Sequence, residues 1–225
     1  MPIAREGAPV ILAFIGLHFI FMLSSRLAVI GQLAIPVYWS FTVLWVIFAV
    51  LALFSLYFFR DPERKTPEGT KLVVSPADGR VLCVDEVIEE KFIGGPTRRL
   101  SIFMNIFDVH VNRFPVSGKI AFIEYRPGKF FNASLDKASV HNEALSLGLE
   151  TEGSSSRVMV RQIAGLIARR IVCRTREGDT ASCGERFGMI RFGSRVEVYL
   201  PLEVHFLVTA GERVTAGETI LAELP

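Results

Sequence analysis

At 225 residues and a formal net charge of +2, the chain has room for one ordinary domain plus a small accessory segment, and too little basic excess for a nucleic-acid binder. Half of its residues are hydrophobic, and the excess lies before residue 60, so the remainder has the composition of a normal soluble domain. The three cysteines, Cys83, Cys173 and Cys183, form no Cys-x-x-Cys pair, which speaks against a disulfide or zinc framework and for a reduced, cytoplasmic setting.

Two apolar runs come first. From Pro9 to Ser25 the only ionisable side chain is His18, and from Val37 to Phe59 there is none. The second run exceeds the roughly 20 residues needed to cross a bilayer, and the first is near the lower limit of about 17. We read residues 1–59 as a transmembrane helical hairpin, with Tyr38, Trp39 and Tyr57 as interfacial anchors. Arg60, Arg64, Lys65 and Lys71 follow the second run, whereas only Arg26 lies between the runs. Positive-inside bias then puts the domain at 60–225 on the cytoplasmic side of the inner membrane. The alternative takes the first run as a cleavable signal or re-entrant segment, which would place that domain outside. His18 is read as tolerated in the membrane rather than functional.

The junction, Phe58-Phe59-Arg60-Asp61-Pro62-Glu63-Arg64, ends the second helix with a proline and a group of charges. Val73 to Leu82 then reads as strand, Asp78-Gly79 turn, strand; an aspartate in such a turn is commonly there for backbone geometry. Leu100 to Ile106 reads as a buried strand leading into Asp108, His110, Asn112 and Arg113. Strand periodicity would put Asp108, His110 and Asn112 on one face. That face could orient a histidine for proton transfer, or be the wet side of an edge strand. Asp108 and His110 lack a third partner, so no metal site is expected. Residues 125–133 and 137–143, the latter with His141, read as a turn-rich loop. The tail, Thr209 to Ala222, alternates short strands with Gly turns. Together with the Asp78-Gly79 stretch it is similar to the closing hairpin of lipoyl- or biotinyl-type barrel-sandwich domains. The expected class is a mainly β barrel-sandwich preceded by the hairpin.

The remaining stretch is Arg191-Phe192-Gly193-Ser194-Arg195, at a break between the apolar run Phe187 to Phe192 and the alternating run Val196 to Leu200. Glycine tolerates backbone angles closed to other residues, and a serine hydroxyl directly after it could attack the Gly193 carbonyl. The amide would become an ester, elimination would break the chain and leave dehydroalanine at 194, and loss of ammonia would leave a pyruvoyl group. The other reading of a bare Gly-Ser is an ordinary bulge or turn.

Taken in order, the apolar anchor, Phe59 to Arg64, Ser75-Pro76-Ala77-Asp78-Gly79, Asp108-x-His110 with Pro115 and Gly118, and Phe192-Gly193-Ser194 resemble phosphatidylserine decarboxylase proenzymes, especially the short bacterial form. The resemblance covers about Phe58 to the C-terminus. It implies self-cleavage between Gly193 and Ser194, giving a large chain and a small chain that stay together as a heterodimer, and a covalent pyruvoyl cofactor made from Ser194. It further implies a phospholipid substrate, with phosphatidylserine decarboxylated to phosphatidylethanolamine.

Under this reading His110 delivers a proton or positions the substrate carboxylate, Asp78 assists self-processing, and Arg113 holds a phosphate or carboxylate. The chain departs from the family pattern at Arg113, where longer members carry a second histidine, so a simple Asp78-His-Ser194 triad is in doubt. Two alternatives remain at this point: a pyruvoyl decarboxylase of a small amino acid, which would need no anchor, and a non-catalytic membrane-anchored barrel-sandwich adaptor.

Overall fold

The computed structural model describes residues 2–32, 34–134, 137–151, 156–166, 170–191 and 193–225. It divides into two compact units, Met1–Glu63 and Arg64–Pro225.

The first unit is a helical hairpin. A single 3₁₀ turn, Arg5–Gly7, leads into α1 (Ala8–Ile30), which is followed by α2 (Ile35–Phe58). Each helix has a proline in its first turn, where the missing N–H has no partner to lose. The helices meet through aromatic rings, with Phe21 stacked on Phe48 at 5.4 Å between centroids and Phe14 tilted against Phe48 at 6.2 Å. His18, the lone ionisable group of the first run, is bonded through Nδ1 to the Trp45 carbonyl at 3.0 Å. It therefore clasps the two helices instead of offering a free polar group. Apolar side chains remain exposed along both helices, among them Leu12, Leu23, Ile30, Val50 and Leu53. Helices apolar all round in a unit this small are suited to lipid. Their apolar stretches of 26 and 24 residues would run roughly 36–39 Å, enough for a hydrocarbon core of about 30 Å. The N-terminus is strapped to the end of α2 by Ala4 N–H to the Phe59 carbonyl at 2.8 Å and Asp61 N–H to the Pro2 carbonyl at 2.8 Å.

The second unit is mainly β. In chain order its elements are β1 (Leu72–Val74), β2 (Gly79–Glu89), β3 (Gly95–Met104), β4 (Val111–Arg113), β5 (Gly118–Arg126), α3 (Lys137–His141), β6 (Ala144–Thr151), β7 (Arg157–Ile163), β8 (Ile171–Cys173), β9 (Thr180–Ala181), β10 (Arg186–Ile190), β11 (Ser194–Pro201), β12 (Arg213–Val214) and β13 (Ile220–Glu223). Eight strands form one curled antiparallel sheet in the order β12-β2-β3-β11-β7-β6-β5-β9, with β4-β10-β8 and β1-β13 as smaller sheets. The expected mainly β class with a helical hairpin in front thus holds. The two stretches that suggested a barrel-sandwich closure pair with one another: Arg80 lies opposite Arg213, and Leu72 opposite Glu223. The core lies within the curl and is built from alternate residues, among them Leu100, Ile102 and Met104 of β3 and Val196, Val198 and Leu200 of β11.

Two local expectations are corrected. Part of the stretch read as a loop, Lys137–His141, forms α3, closed by Asn142 N–H to the Ala138 carbonyl at 3.0 Å. Asp108 and His110 are not on a strand. A turn at Asn105–Asp108 intervenes, and β4 starts only at Val111, so strand periodicity does not relate Asp108 and His110 to Asn112.

Candidate active site

The Gly193–Ser194 peptide sits where β11 enters the centre of the sheet, with Ser194 opposite Met104 of β3 and Arg195 opposite Ile163 of β7. Strand alternation directs Ser194 to the same side as the core residues Val196 and Val198. Ser194 is fully buried, and its hydroxyl faces the Met104 sulfur at 3.4 Å, a weak acceptor that holds it loosely. The preceding residue turns the chain. Gly193 has φ +62°, a left-handed conformation in which an L side chain would be strained, so glycine on the N-terminal side of Ser194 has a backbone reason. Phe192, which belongs to the sequence motif, lies outside the described residues.

Both ends of the Gly193 residue are engaged. Its N–H donates to His110 Nε2 at 3.3 Å. The other ring nitrogen of His110, Nδ1, lies 3.0 Å from the Asp108 carbonyl, which can only accept. The two bonds together assign the neutral tautomer with the proton on Nδ1 and the lone pair on Nε2. His110 is fully buried, and the turn corrected above is what aims it. Asp108 also caps that turn, its carboxylate accepting Asn105 N–H at 2.9 Å. The Gly193 carbonyl is pressed onto Gly165, just beyond β7: a β-carbon built at 165 would lie 1.7 Å from that oxygen. Gly165 is therefore required by the close approach of the Gly193 carbonyl. No signal in the sequence separates it from any other loop glycine.

The structure brings together His110, Gly193 and Ser194, and it leaves Asp78 and Arg113 bonded elsewhere. Asp78 accepts Ala216 N–H at 2.8 Å through Oδ1 and an ion-paired bond from Arg64 at 2.8 Å through Oδ2. Burial raises the Asp78 pKa against the lowering effect of the Ala216 N–H and Arg64, and the neighbouring Asp108 adds to the rise. Arg113 is buried and donates to the Gly184 carbonyl at 2.9 Å. Neither Asp78 nor Arg113 is hydrogen-bonded to Ser194. Two further polar groups flank the site. Asn112 places Nδ2 3.7 Å from the Met104 sulfur and accepts Gln162 Nε2 at 2.8 Å through Oδ1, so the sulfur lies between the Ser194 hydroxyl and a buried amide pair.

A cavity of about 270 Å³ opens at Gly193, lined by Phe103, Ile106, Ala133 and Leu166 with the amides of Asn105 and Asn132. A largely apolar pocket with a few polar groups, touching a glycine whose N–H is held by a histidine, is the form of a small-molecule site. Leu166 on its wall and the adjacent Phe107 are largely exposed.

Fold and site together define a mainly β domain in which a buried histidine holds the N–H of the glycine of a Gly–Ser pair, preceded by an apolar helical hairpin. A family profile described as "Phosphatidylserine decarboxylase" matches residues 51–222. The chain is 50% identical over 223 residues to a protein of Syntrophus aciditrophicus named phosphatidylserine decarboxylase proenzyme, covering 97% of this chain and 96% of that one. It is 48% identical over 223 residues to a protein of the same name from Symbiobacterium thermophilum, covering 99% and 96%. A third of that name, from Oleidesulfovibrio alaskensis, is 56% identical over 177 residues, covering 79% and 80%. The chain belongs to the phosphatidylserine decarboxylase family.

Proposed function

We propose that the chain is a self-processing decarboxylase that converts phosphatidylserine to phosphatidylethanolamine, and that Ser194 is the source of its pyruvoyl group. The observation that carries this reading is the setting of Gly193 ahead of Ser194: left-handed at Gly193, the Gly193 N–H on His110 Nε2, and the Gly193 carbonyl, the group Ser194 would attack, against Gly165. Family membership sets aside the non-catalytic adaptor, and the apolar hairpin favours a lipid over a small soluble amino acid.

Processing follows from the groups present. The Ser194 oxygen adds to the Gly193 carbonyl carbon, and the Gly193–Ser194 carbon–nitrogen bond breaks. The result is an ester on the serine oxygen and a free amine at 194. A base removes the α-hydrogen of Ser194, and the Gly193 carboxylate leaves with the serine oxygen. The dehydroalanine left behind tautomerises to an imine, and water releases ammonia from it. His110, with its Nε2 lone pair on the Gly193 amide, lies beside this bond and could take or return a proton.

The residues fit the group. Ser194 starts a central strand, its side chain is shielded from solvent, and the 270 Å³ cavity reaches Gly193. A pyruvoyl carbonyl supplies an electron sink for the carbanion formed when an amino acid loses carbon dioxide. The chain's own residues then have three tasks. Phe103, Ile106 and Leu166 line the pocket against water, Asn105 and Asn132 offer donors and acceptors to a polar headgroup, and His110, after taking a proton at Nε2, returns it to the decarboxylated carbon. We assign Asp78 to processing through the frame it shares with Arg64 and Ala216, and Arg113 to supporting that frame rather than to holding substrate directly.

The two chains expected from cleavage have reason to stay together. The small chain, Ser194 to Pro225, would still be held by β11 between β3 and β7, by β12 on β2 and by β13 on β1. The basic residues following α2 support a cytoplasmic placement of the 60–225 region. Reporter fusions to the C-terminus that are active only in the periplasm would contradict that placement.

The central test is a denaturing gel with mass spectrometry of the small fragment. Wild-type protein should run as two chains, the smaller beginning with a pyruvoyl-modified residue 194, and should release carbon dioxide from phosphatidylserine. Ser194→Ala should remain one full-length chain without activity. A single chain in active wild-type protein would overturn the reading.

A further inference from the structure

On the outer side of the sheet, away from Ser194, lies a cavity of about 280 Å³ with Arg99, Arg126 and Arg161 on its walls. Its volume falls just under the roughly 300–1,000 Å³ of pockets for drug-sized ligands, which suits a small ion or a headgroup. We propose that this cavity binds a phosphate-type oxyanion between Arg126 and Arg161, at a site separate from the Gly193–Ser194 centre.

Both guanidinium groups are held in place before any ligand arrives. Arg126, at the end of β5, donates through Nη2 to the carbonyls of Ser139 and Asn142, at 2.6 and 3.2 Å. Its Nε–H is buried and has no acceptor among the described residues. Arg161, on β7, donates through Nε to Ser146 Oγ at 2.9 Å and through Nη1 to Tyr199 Oη at 2.8 Å, and lies over the Tyr199 ring. Among the described residues nothing further is bonded to its Nη2.

The carboxylates that could neutralise the pair are largely committed. Glu89 accepts the N–H groups of Lys91, Phe92 and Ile93; Glu124 pairs with Lys91; Asp85 holds Arg99 through two bonds. Glu197, behind the wall, is bonded by Ser139 and Tyr199. Glu90 is exposed at the rim. Burial lowers the pKa of Arg126, and the charge of Arg161 lowers it further, although Tyr199, Glu124 and Glu197 oppose this. Two fixed cations on the walls of one cavity, close enough for the charge of Arg161 to bear on Arg126, are stabilised by an oxyanion placed between them. Among the described residues no carboxylate fills that place. A free phosphate and the phosphate of a lipid headgroup carry the same chemistry.

Calorimetric titration of the full, processed protein in neutral detergent distinguishes these sources. One arm uses sodium phosphate and the other a short-chain phosphatidylglycerol, each against sodium chloride at matched ionic strength. Saturable one-to-one binding of at least one of them is expected, and which arm binds identifies the source. Arg161→Gln should weaken it at least tenfold, and the exposed control Lys119→Gln should leave it unchanged. Arg126→Gln should act in the same direction. Because that change also frees two carbonyls and could unfold α3, Arg161→Lys, which keeps the charge and loses the fork, provides the second readout and should weaken binding as well. No binding in either arm, or binding unchanged in both Arg161 variants, would overturn the proposal.

Discussion

On one face of β11, Ser194 leads a row of apolar residues, Val196, Val198 and Leu200; on the other, Arg195, Glu197 and Tyr199 lie equally deep. Burial is the same and the chemistry is opposite. The inner face is held by shape, with Gly193 fixed by one histidine bond to its N–H and one backbone contact at its carbonyl. The outer face is held by charge. Glu197 is paired with Arg195 at 3.2 Å, accepts from Ser139 at 2.7 Å and from Tyr199 at 2.6 Å, and lies 3.6 Å from Arg99. Burial, then Glu197, pushes the Tyr199 phenol well above its ordinary pKa, so it stays a neutral donor. Under the proposed cleavage at Gly193–Ser194, β11 would stay anchored on both sides after the break, and the proposed chemistry falls on its inner face.

The largest effects should come from the inner face, by crowding it. Gly165→Val would bring side-chain atoms onto the Gly193 carbonyl, where even a β-carbon has 1.7 Å. Processing should be abolished in Gly165→Val and strongly slowed in Gly165→Ala, read as persistence of the full-length chain on a denaturing gel. Normal cleavage in a folded Gly165→Val protein would show that the contact is not needed. His110→Ala should come next. We expect two fragments, with decarboxylation reduced about a hundredfold to ten-thousandfold, as for loss of one positioned acid. An uncleaved but folded His110→Ala protein would move His110 to processing, a role that its bond to the Gly193 amide would equally serve.

The outer face should respond in stability rather than chemistry. Glu197→Ala removes the carboxylate paired with the buried Arg195 and the acceptor of Ser139 and Tyr199, while Arg99 keeps Asp85, at a cost of about 3–5 kcal/mol. Chemical denaturation should reveal this as a lower midpoint. A Glu197→Ala protein of wild-type stability would show that the outer network does not anchor β11.

The hairpin, the Gly–Ser break and the short strands of the tail and of the Asp78-Gly79 stretch were legible in the sequence because each is written in a local pattern: apolar length, glycine next to serine, alternation between turns; that the two stretches pair with one another was not. His110 was legible as a residue but not in its placement. Period-two counting ran a strand through Asp108, where a turn closed by the Asp108 side chain lies instead. Gly165 and Met104 were not legible at all. Their roles depend on which residue of β7 or β3 lies beside Ser194, and that register comes from folding the whole sheet. Arg64 stood in a recognised motif, yet its bond to Asp78 spans a junction that reads as a mere linker.

The smallest expected effect is a slope, and it concerns Asp78, the frame beside the inner face. In the folded protein burial raises its pKa above the ordinary value of 3.8, so between that value and the raised one the folded state binds more protons than the unfolded chain. Stability depends on pH through the difference between protons bound unfolded and protons bound folded, which is negative in this window. The contribution of Asp78 is therefore fully present below about pH 3.8 and is lost as pH rises through the folded value, the reverse of an aspartate stabilised by its ion pair. Asp78→Asn has no such proton. Urea midpoints of Ser194→Ala, which should stay a single chain, and of the Ser194→Ala, Asp78→Asn double variant should therefore differ in slope: as pH rises from the acid end, the advantage of the protein keeping Asp78 should shrink. If that advantage grows instead, the bond from Arg64 outweighs burial, and Asp78 is held ionised rather than poised to take a proton.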